Sequence, residues 1–360
     1  MEIVAASRQL ATSATVSVDS TGREHLVVVS KATWSLPEPG QRPRPLPPQA
    51  LAFTDQYHGE PGASAMRYGD DFARHKARCD VLFDAQAHSP NGQPFKQLDV
   101  QWQVGTLSKR LVVFGRREWR LSNGRASMTE AIPVQSVPLH YGFAWGGSQQ
   151  PLADVRQTPV PHPLNPAGLG WFEAERLSLI DGQPLPSLEL PGQPTQHPEQ
   201  TSEPVAFSAV PRDSEWRRRH AGTYDAAWQR DQFPLPPHDF DERFHQCAPE
   251  DQQMTYPEGG EEVVLQNMVR GRPQVRFKLP RLNLHKVHVL RTDYSVESPQ
   301  AVVDTLFFEP DEGRFSVVWR ASVSIRRRIQ EFDTIAVGAV DPAWWLDLME
   351  GRCINCGEAA

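Results

Sequence analysis

His58 and Glu60 are the residues best suited to proton transfer, two positions apart in Tyr57-His58-Gly59-Glu60-Pro61-Gly62. A histidine and a carboxylate are the usual acid–base pair near neutral pH. On a Gly/Pro-rich turn, however, neighbouring side chains point in different directions. No Gly-x-Ser-x-Gly nucleophile motif accompanies the pair. The competing reading is a structural turn in which His58 or Glu60 bonds to nearby backbone. Cys353 and Cys356 form one CxxC, half of a zinc knuckle. A tetrahedral site needs four ligands, and Cys79, Cys247 or a histidine would have to complete it. Asp304, Glu309, Asp311 and Glu312 gather carboxylates, but without the regular alternate spacing of a calcium loop. They read instead as a hairpin around Pro310-Asp311-Glu312-Gly313. Asp239, Asp241 and Glu242 beside Arg243 read as a capped helix start. No Gly-x-Gly-x-x-Gly or Walker loop is present. These residues predict no catalytic group, no metal and no cofactor.

Whatever such residues do, a β framework must position them. The 360 residues include 33 prolines, roughly twice the usual share. Each removes a backbone donor and fixes φ, which disfavours long helices. Ten Trp, 16 Phe and a 39% hydrophobic fraction supply a real core. The net charge of −7 argues against a nucleic-acid partner. The dense basic cluster Arg217-Arg218-Arg219-His220 reads as a solvated helix face. No apolar run reaches the ~20 residues of a membrane span. With no signal-type N-terminus either, the expected location is cytoplasmic.

Thr15–Val18 and Glu24–Trp34 flank a turn at 19–22 and predict a hairpin. Its run Leu26-Val27-Val28-Val29 predicts a strand covered on both faces. Val81–Phe83, a hairpin turn at Pro90-Asn91-Gly92, and alternating Leu98, Val100, Trp102 and Val104 predict a meander that continues through Lys109–Phe114. Residues 122–213 lose periodicity yet keep Tyr141, Phe143, Trp145, Trp171 and Phe172, so an ordered irregular layer is expected, with a mobile part near 191–203. A helix is predicted over Glu215–Gln232, capped by Ser214, with Trp216, His220, Tyr224 and Trp228 as a packing stripe. A shorter helical piece is placed over Asp239–Gln246. Strands return at 262–265, 275–279, 283–291, 305–309 and 314–324, and a short helix is expected at Pro342–Met349. The fold class is therefore mainly β: a composite sheet or sandwich-like body over 1–341, or two apposed lobes. Its β blocks are 1–121 and 257–341, around an irregular and helical layer at 122–256. Residues 342–360 form a short helix and cysteine tail.

Eight segments carry a resemblance to a known family: REHLVVVSKATW (23–34), DQYHGEPGASAMRYGDDFARHKARCDVL (55–82), VVFGRREW (112–119), YGFAWGG (141–147), NPAGLG (165–170), AGTYDAAW (221–228), FPLPPHDFDERFHQCAPEDQQ (233–253) and DTLFFEPDEGRFSVVWRA (304–321). Together they resemble a bacterial family of unknown-function proteins encoded in type VI secretion clusters. Tyr57 and Trp145 depart from the residues common in that family. The resemblance implies a non-enzymatic adaptor or chaperone that binds a secreted toxin, alone or PAAR-linked, and loads it onto the VgrG spike. The alternatives are a structural component of the secreted spike or a hydrolase using His58 and Glu60. It also marks His58, Gly59, Glu60, Tyr141, Trp145, Tyr224, Asp225, Trp228, Asp251, Gln252, Asp311 and Glu312 as structural or client-binding. Of the 37 basic residues only six are lysines. Exposed aromatics and arginines suit a docking surface, because they dominate interface energetics.

Overall fold

Apolar runs and alternating patterns become strands β1 (Glu2–Ala5), β2 (Ala11–Val18), β3 (Glu24–Ser35), β4 (Cys79–Phe83), β5 (Gln97–Val104) and β6 (Leu107–Phe114). The second half contributes β7 (Glu262–Val269), β8 (Arg272–Lys278), β9 (Lys286–Arg291), β10 (Val302–Glu309), β11 (Arg314–Ser324) and β12 (Phe332–Gly338). The computed structural model describes residues 1–149 and 159–340. The helix expected at Pro342–Met349 and the Cys353–Cys356 tail lie outside them.

The protein is mainly β. A seven-stranded sheet runs Gln253–Met254, β4, β10, β11, β3, β2, with Pro45–Leu46 also on β3. A five-stranded sheet runs Leu188–Glu189, β6, β5, β7, β8, and a four-stranded one runs β1, β12, β9, Val296–Glu297. Strands from both ends of the chain lie side by side within these sheets. β3 pairs antiparallel with β11 from Arg314–Ser35 to Ser324–His25, and β5 pairs with β7.

One face of the seven-stranded sheet is apolar along its whole length. At one end Val81, Phe83, Phe308 and Phe315 pack against Val100, Trp102, Leu111 and Leu265 of the five-stranded sheet. At the other end Leu26, Val28 and Val323 pack against Val287, Val289 and Ile335 of the four-stranded sheet. Val27 and Val29 point the other way, onto Leu51 and Phe72. The strand is covered on both faces, as its continuous apolar run requires.

Two local expectations are corrected. Asn91-Gly92 closes no hairpin between β4 and β5: β4 belongs to the seven-stranded sheet and β5 to the five-stranded one. The turn instead lies on a crossover between sheets. Nor is Glu215–Gln232 one helix. It divides into α1 (Glu215–Arg218) and α2 (Ala226–Asp231). Gly222 between them has φ +82°, and a Cβ there would come within 2.9 Å of Pro237 and Asp239. Tertiary contact at a residue free to take positive φ thus overrides the helical pattern. The Asp239–Gln246 piece is a single 3-10 stretch, Glu242–His245, capped by Asp241.

Candidate functional site

The second face of the seven-stranded sheet is mixed, with ionic groups set among Val27, Val29, Val318, Leu82 and Phe307, and the segment 50–78 with residues 245–253 covers it. Asp304 of β10 and Arg320 of β11 form a fully buried ion pair. Nη1 of Arg320 also donates to the carbonyls of Asp71 and Ala73, each at 2.6 Å. Lys31 of β3 reaches Asp71 at 2.6 Å, and the same carboxylate accepts the Tyr68 hydroxyl and the Ala52 N–H. Lys76 donates to Asp80 of β4 at 2.9 Å and to Thr305 at 3.0 Å. Asp80 in turn accepts Gln246 Nε2 and the Cys247 N–H. Burial works against the Lys76 charge, yet Asp80 and Asp304 hold its pKa above the ordinary lysine value. Burial has the upper hand at Lys31, whose pKa falls despite Asp71. Charges this deep survive only when paired and hydrogen-bonded. These bonds fasten Tyr68, Asp71, Lys76 and Asp80 to the sheet, and with them the whole 55–82 segment.

That anchored segment presents the Tyr57–Gly62 turn. His58 stacks on His140, with centroids 4.0 Å apart, and its Nε2 lies 4.0 Å from Asp84. Burial, partly opposed by Asp84, lowers the His58 pKa; burial and then His58 bring that of His140 to about 4. Asp84 is held by Arg67 at 2.5 Å, and Arg67 also meets Glu309. Glu60 is exposed, and among the described residues only its backbone carbonyl is engaged, by Ser64 Oγ and the Ala63 N–H. Gly59 N–H donates to the same Ser64 Oγ. The structure therefore does not bring the His58 and Glu60 side chains together as an acid–base pair. The other carboxylates also have structural partners: Glu309 and Glu312 meet Arg314, and Asp311 meets buried His88 at 2.5 Å. Among the described residues no cluster of three or more potential ligands could hold a metal. Cys79 and Cys247 are buried thiols in separate parts of the core.

Beside the 245–253 cover lies a cleft of about 330 Å³, with Lys109, Tyr141, Trp216, Arg219, Glu203 and Asp251 in its wall. Lys109 is buried, meeting exposed Asp251 at 2.9 Å and the Gln252 side-chain carbonyl at 2.9 Å. Gln252 is wholly buried and donates to the carbonyls of Val81 and Phe207. Tyr141 is buried and packs on Trp216. Trp145 is buried too. Asn165 Nδ2 binds the carbonyls of both Tyr141 and Trp145, at 2.8 and 2.9 Å. A Cβ on Gly146 would sit 2.2 Å from the Asn165 carbonyl, so only glycine permits that approach.

On the far side of α1 a broad, open groove is lined by Asp55, Tyr57, Arg212, Arg218, Tyr224 and Phe244. The basic cluster beside it is mixed, not a uniform solvated face. Arg217 is buried, donating to the carbonyls of Phe244 and Val210, whereas Arg219 pairs with exposed Glu250. From the groove an aromatic ladder leads outward. Tyr224 packs edge-on against Trp228, and Trp228 against Phe233, at 4.7 and 5.6 Å. Asp225 caps α2 by accepting the Trp228 N–H, and Trp228 Nε1 donates to the Leu235 carbonyl. Held in this way, Tyr224 and Phe233 remain 57% and 66% exposed. The expected four-residue stripe does not form one face: Trp216 packs on the main core, while Tyr224 faces solvent.

A family model described as "Uncharacterized protein conserved in bacteria (DUF2169)" matches residues 21–320. The chain belongs to the DUF2169 family. The match opens just before the first of the eight segments and closes within the last, so groove, cleft and buried ionic face all fall inside the DUF2169 span. No curated protein and no solved structure matches the chain. Sequence reasoning missed the residues that organise this DUF2169 site from below, namely Asp71, Lys76, Arg67 and Arg320. Three of them sit in the 55–82 segment, which was the signal that could have found them.

Proposed function

We propose that this DUF2169 protein is a non-enzymatic adaptor that holds a secreted toxin on the face formed by the open groove and the aromatic ladder. The resemblance of its eight segments supports a place in type VI secretion, with a PAAR-linked toxin as the client and the VgrG spike as its destination. The observation that carries the reading is the exposed pair Tyr224 and Phe233, packed on half-buried Trp228, whose Nε1 is tied to the Leu235 carbonyl. Rigid aromatics that are already ordered lose little entropy on docking, and such residues concentrate binding energy. Arg218 at the groove adds directional donors for a client's carboxylates, while Arg212 is held by Asp55 and Asp70.

The test is co-expression of the tagged chain with each secretion protein encoded beside it, followed by pull-down. A stable complex with one toxin or PAAR protein, lost in Tyr224→Ala/Phe233→Ala, is the expected result. Folded protein that captures none of these neighbours would sink the adaptor reading. A complex indifferent to the double variant would move the docking face elsewhere.

A further inference from the structure

β2 forms an outer edge of the seven-stranded sheet and pairs with β3 over all eight residues without a bulge. Along an antiparallel strand the backbone groups point alternately inward and outward. The Asp19 N–H bonds the Arg23 carbonyl, and the Ile325 N–H bonds the Glu24 carbonyl, which fixes the phase. Odd-numbered residues of β2 therefore face β3, and the N–H and C=O of Thr12, Ala14, Val16 and Val18 point away from the sheet. Among the described residues no backbone group bonds to them from outside.

Long open edges are templates for further pairing, and proteins usually guard them with charge, proline, bulges or brevity. This molecule guards its other edges in those ways. β8 carries Arg272, Pro273, Arg276 and Lys278, and its register with β7 shifts at a bulge. Gln253–Met254, Leu188–Glu189 and Val296–Glu297 are two residues long, and β1 has only four, including Glu2. β2 reads Ala-Thr-Ser-Ala-Thr-Val-Ser-Val, with no charge, no proline and Val16 41% exposed. It also lies ahead of the residues matched by the family model.

We propose that β2 pairs antiparallel with β2 of a second copy of this chain, across a two-fold axis at Thr15. Outward groups must meet outward groups, so even residues oppose even residues. The register that uses all four sets Thr12 against Val18 and Ala14 against Val16, with Ser13 opposite Ser17 and Thr15 opposite its own twin. The strand fits itself: no position opposes like charges, and every pair is small, hydroxylated or apolar. Ala14 packs toward the core that holds Leu26 and Val28. Val16 and Val18 share its side of the strand, so the apolar side of one sheet continues into the other. A single strand pair is a small interface, and the dissociation constant is expected at roughly 1–100 µM.

Sedimentation velocity of the full chain from about 1 to 200 µM is expected to show a reversible shift from monomer to dimer. Val16→Lys places a charge on the edge and abolishes the shift. Ala14→Pro removes one outward N–H while sparing the β3 bonds, and does the same. In a Cys353→Ser/Cys356→Ser background, Thr15→Cys cross-links to itself under mild oxidation, because twin Thr15 Cα atoms would lie about 4.5 Å apart. Ser13→Cys, opposite Ser17, does not. Circular dichroism and melting temperature confirm that each variant is folded. A chain that stays monomeric throughout, with no Thr15→Cys cross-link, overturns the proposal. So does a dimer untouched by Val16→Lys, or one that cross-links at Ser13→Cys as readily as at Thr15→Cys.

Discussion

The buried ionic face of the seven-stranded sheet and the exposed aromatic ladder beside α2 use chemically expensive residues in opposite ways. Under the 55–82 segment, Lys31, Asp71, Lys76, Asp80, Asp304 and Arg320 lose their water and are answered by one another. At the ladder, Tyr224 and Phe233 keep their water although apolar burial would favour covering them. The first region gives up solvation to fix one segment in place; the second gives up burial and, among the described residues, gains only its edge-on contacts with Trp228. Fixed position is the lesson of the first, and an unfilled contact that of the second.

The contrast is broken most severely at Asp304. Asp304→Ala leaves the Arg320 guanidinium buried without its carboxylate, and a loss of about 3–5 kcal/mol is expected in urea unfolding. Replacing both, Asp304→Leu with Arg320→Met, should recover much of that loss; recovery of none would mean that the backbone bonds of Arg320 matter more than its charge.

Acid should expose the cost of burial elsewhere in the core. His285 is buried, stacks on Trp319, and has its pKa lowered by burial to about 4. The unfolded chain then binds a proton near pH 6.5 that the folded chain refuses. This contribution to stability is complete above pH 6.5, is lost as pH falls, and levels off near 4. At pH 5 it amounts to about 2 kcal/mol against pH 7.5. His285→Phe should flatten that part of the stability–pH curve, and an unchanged slope would assign it to other histidines. His245, brought to about 3 by burial and then Arg217, adds to the same window.

Between the two regions stands the Lys109–Asp251 pair, with one partner buried and the other exposed. Asp251→Ala should cost roughly 1.5–3 kcal/mol, since Lys109 keeps the Gln252 carbonyl as an acceptor. At the ladder the expected stability change is smallest. Tyr224→Ala should alter unfolding by no more than about 0.5 kcal/mol, as for other surface positions. A larger loss would make the ladder a structural element and remove the contrast.

How far the sequence reveals this depends on distance along the chain. Val27–Val29 and the Val100/Trp102/Val104 alternation declared their burial, because each strand's own pattern records which faces are covered. The hairpin at Pro310–Gly313 was equally legible, since its turn chemistry is local. Which strands pair was not legible: β3 meets β11, and nothing in either stretch names the other. The same holds for the site. The 55–82 segment stood out, but its carboxylates and cations read as surface charges until Arg320 and Asp304 arrived from the other end of the chain. Gly222 weakens the helical pattern over 215–232 in the sequence itself, but Pro237 and Asp239, which lie against it and make the break, follow it by 15 residues or more.

Thr33 and Ser316, 283 residues apart, join their hydroxyls at 2.9 Å in the middle of the main sheet. During synthesis at about 5–20 residues per second, β3 therefore waits roughly 15–60 s for the strand that completes it. Through most of that interval the valine run has the early cover of Leu51 and Phe72 on one face, but not Val287, Val289 and Ile335 on the other. Holding factors that act on nascent chains should engage the first hundred residues and release them only after β11 has emerged.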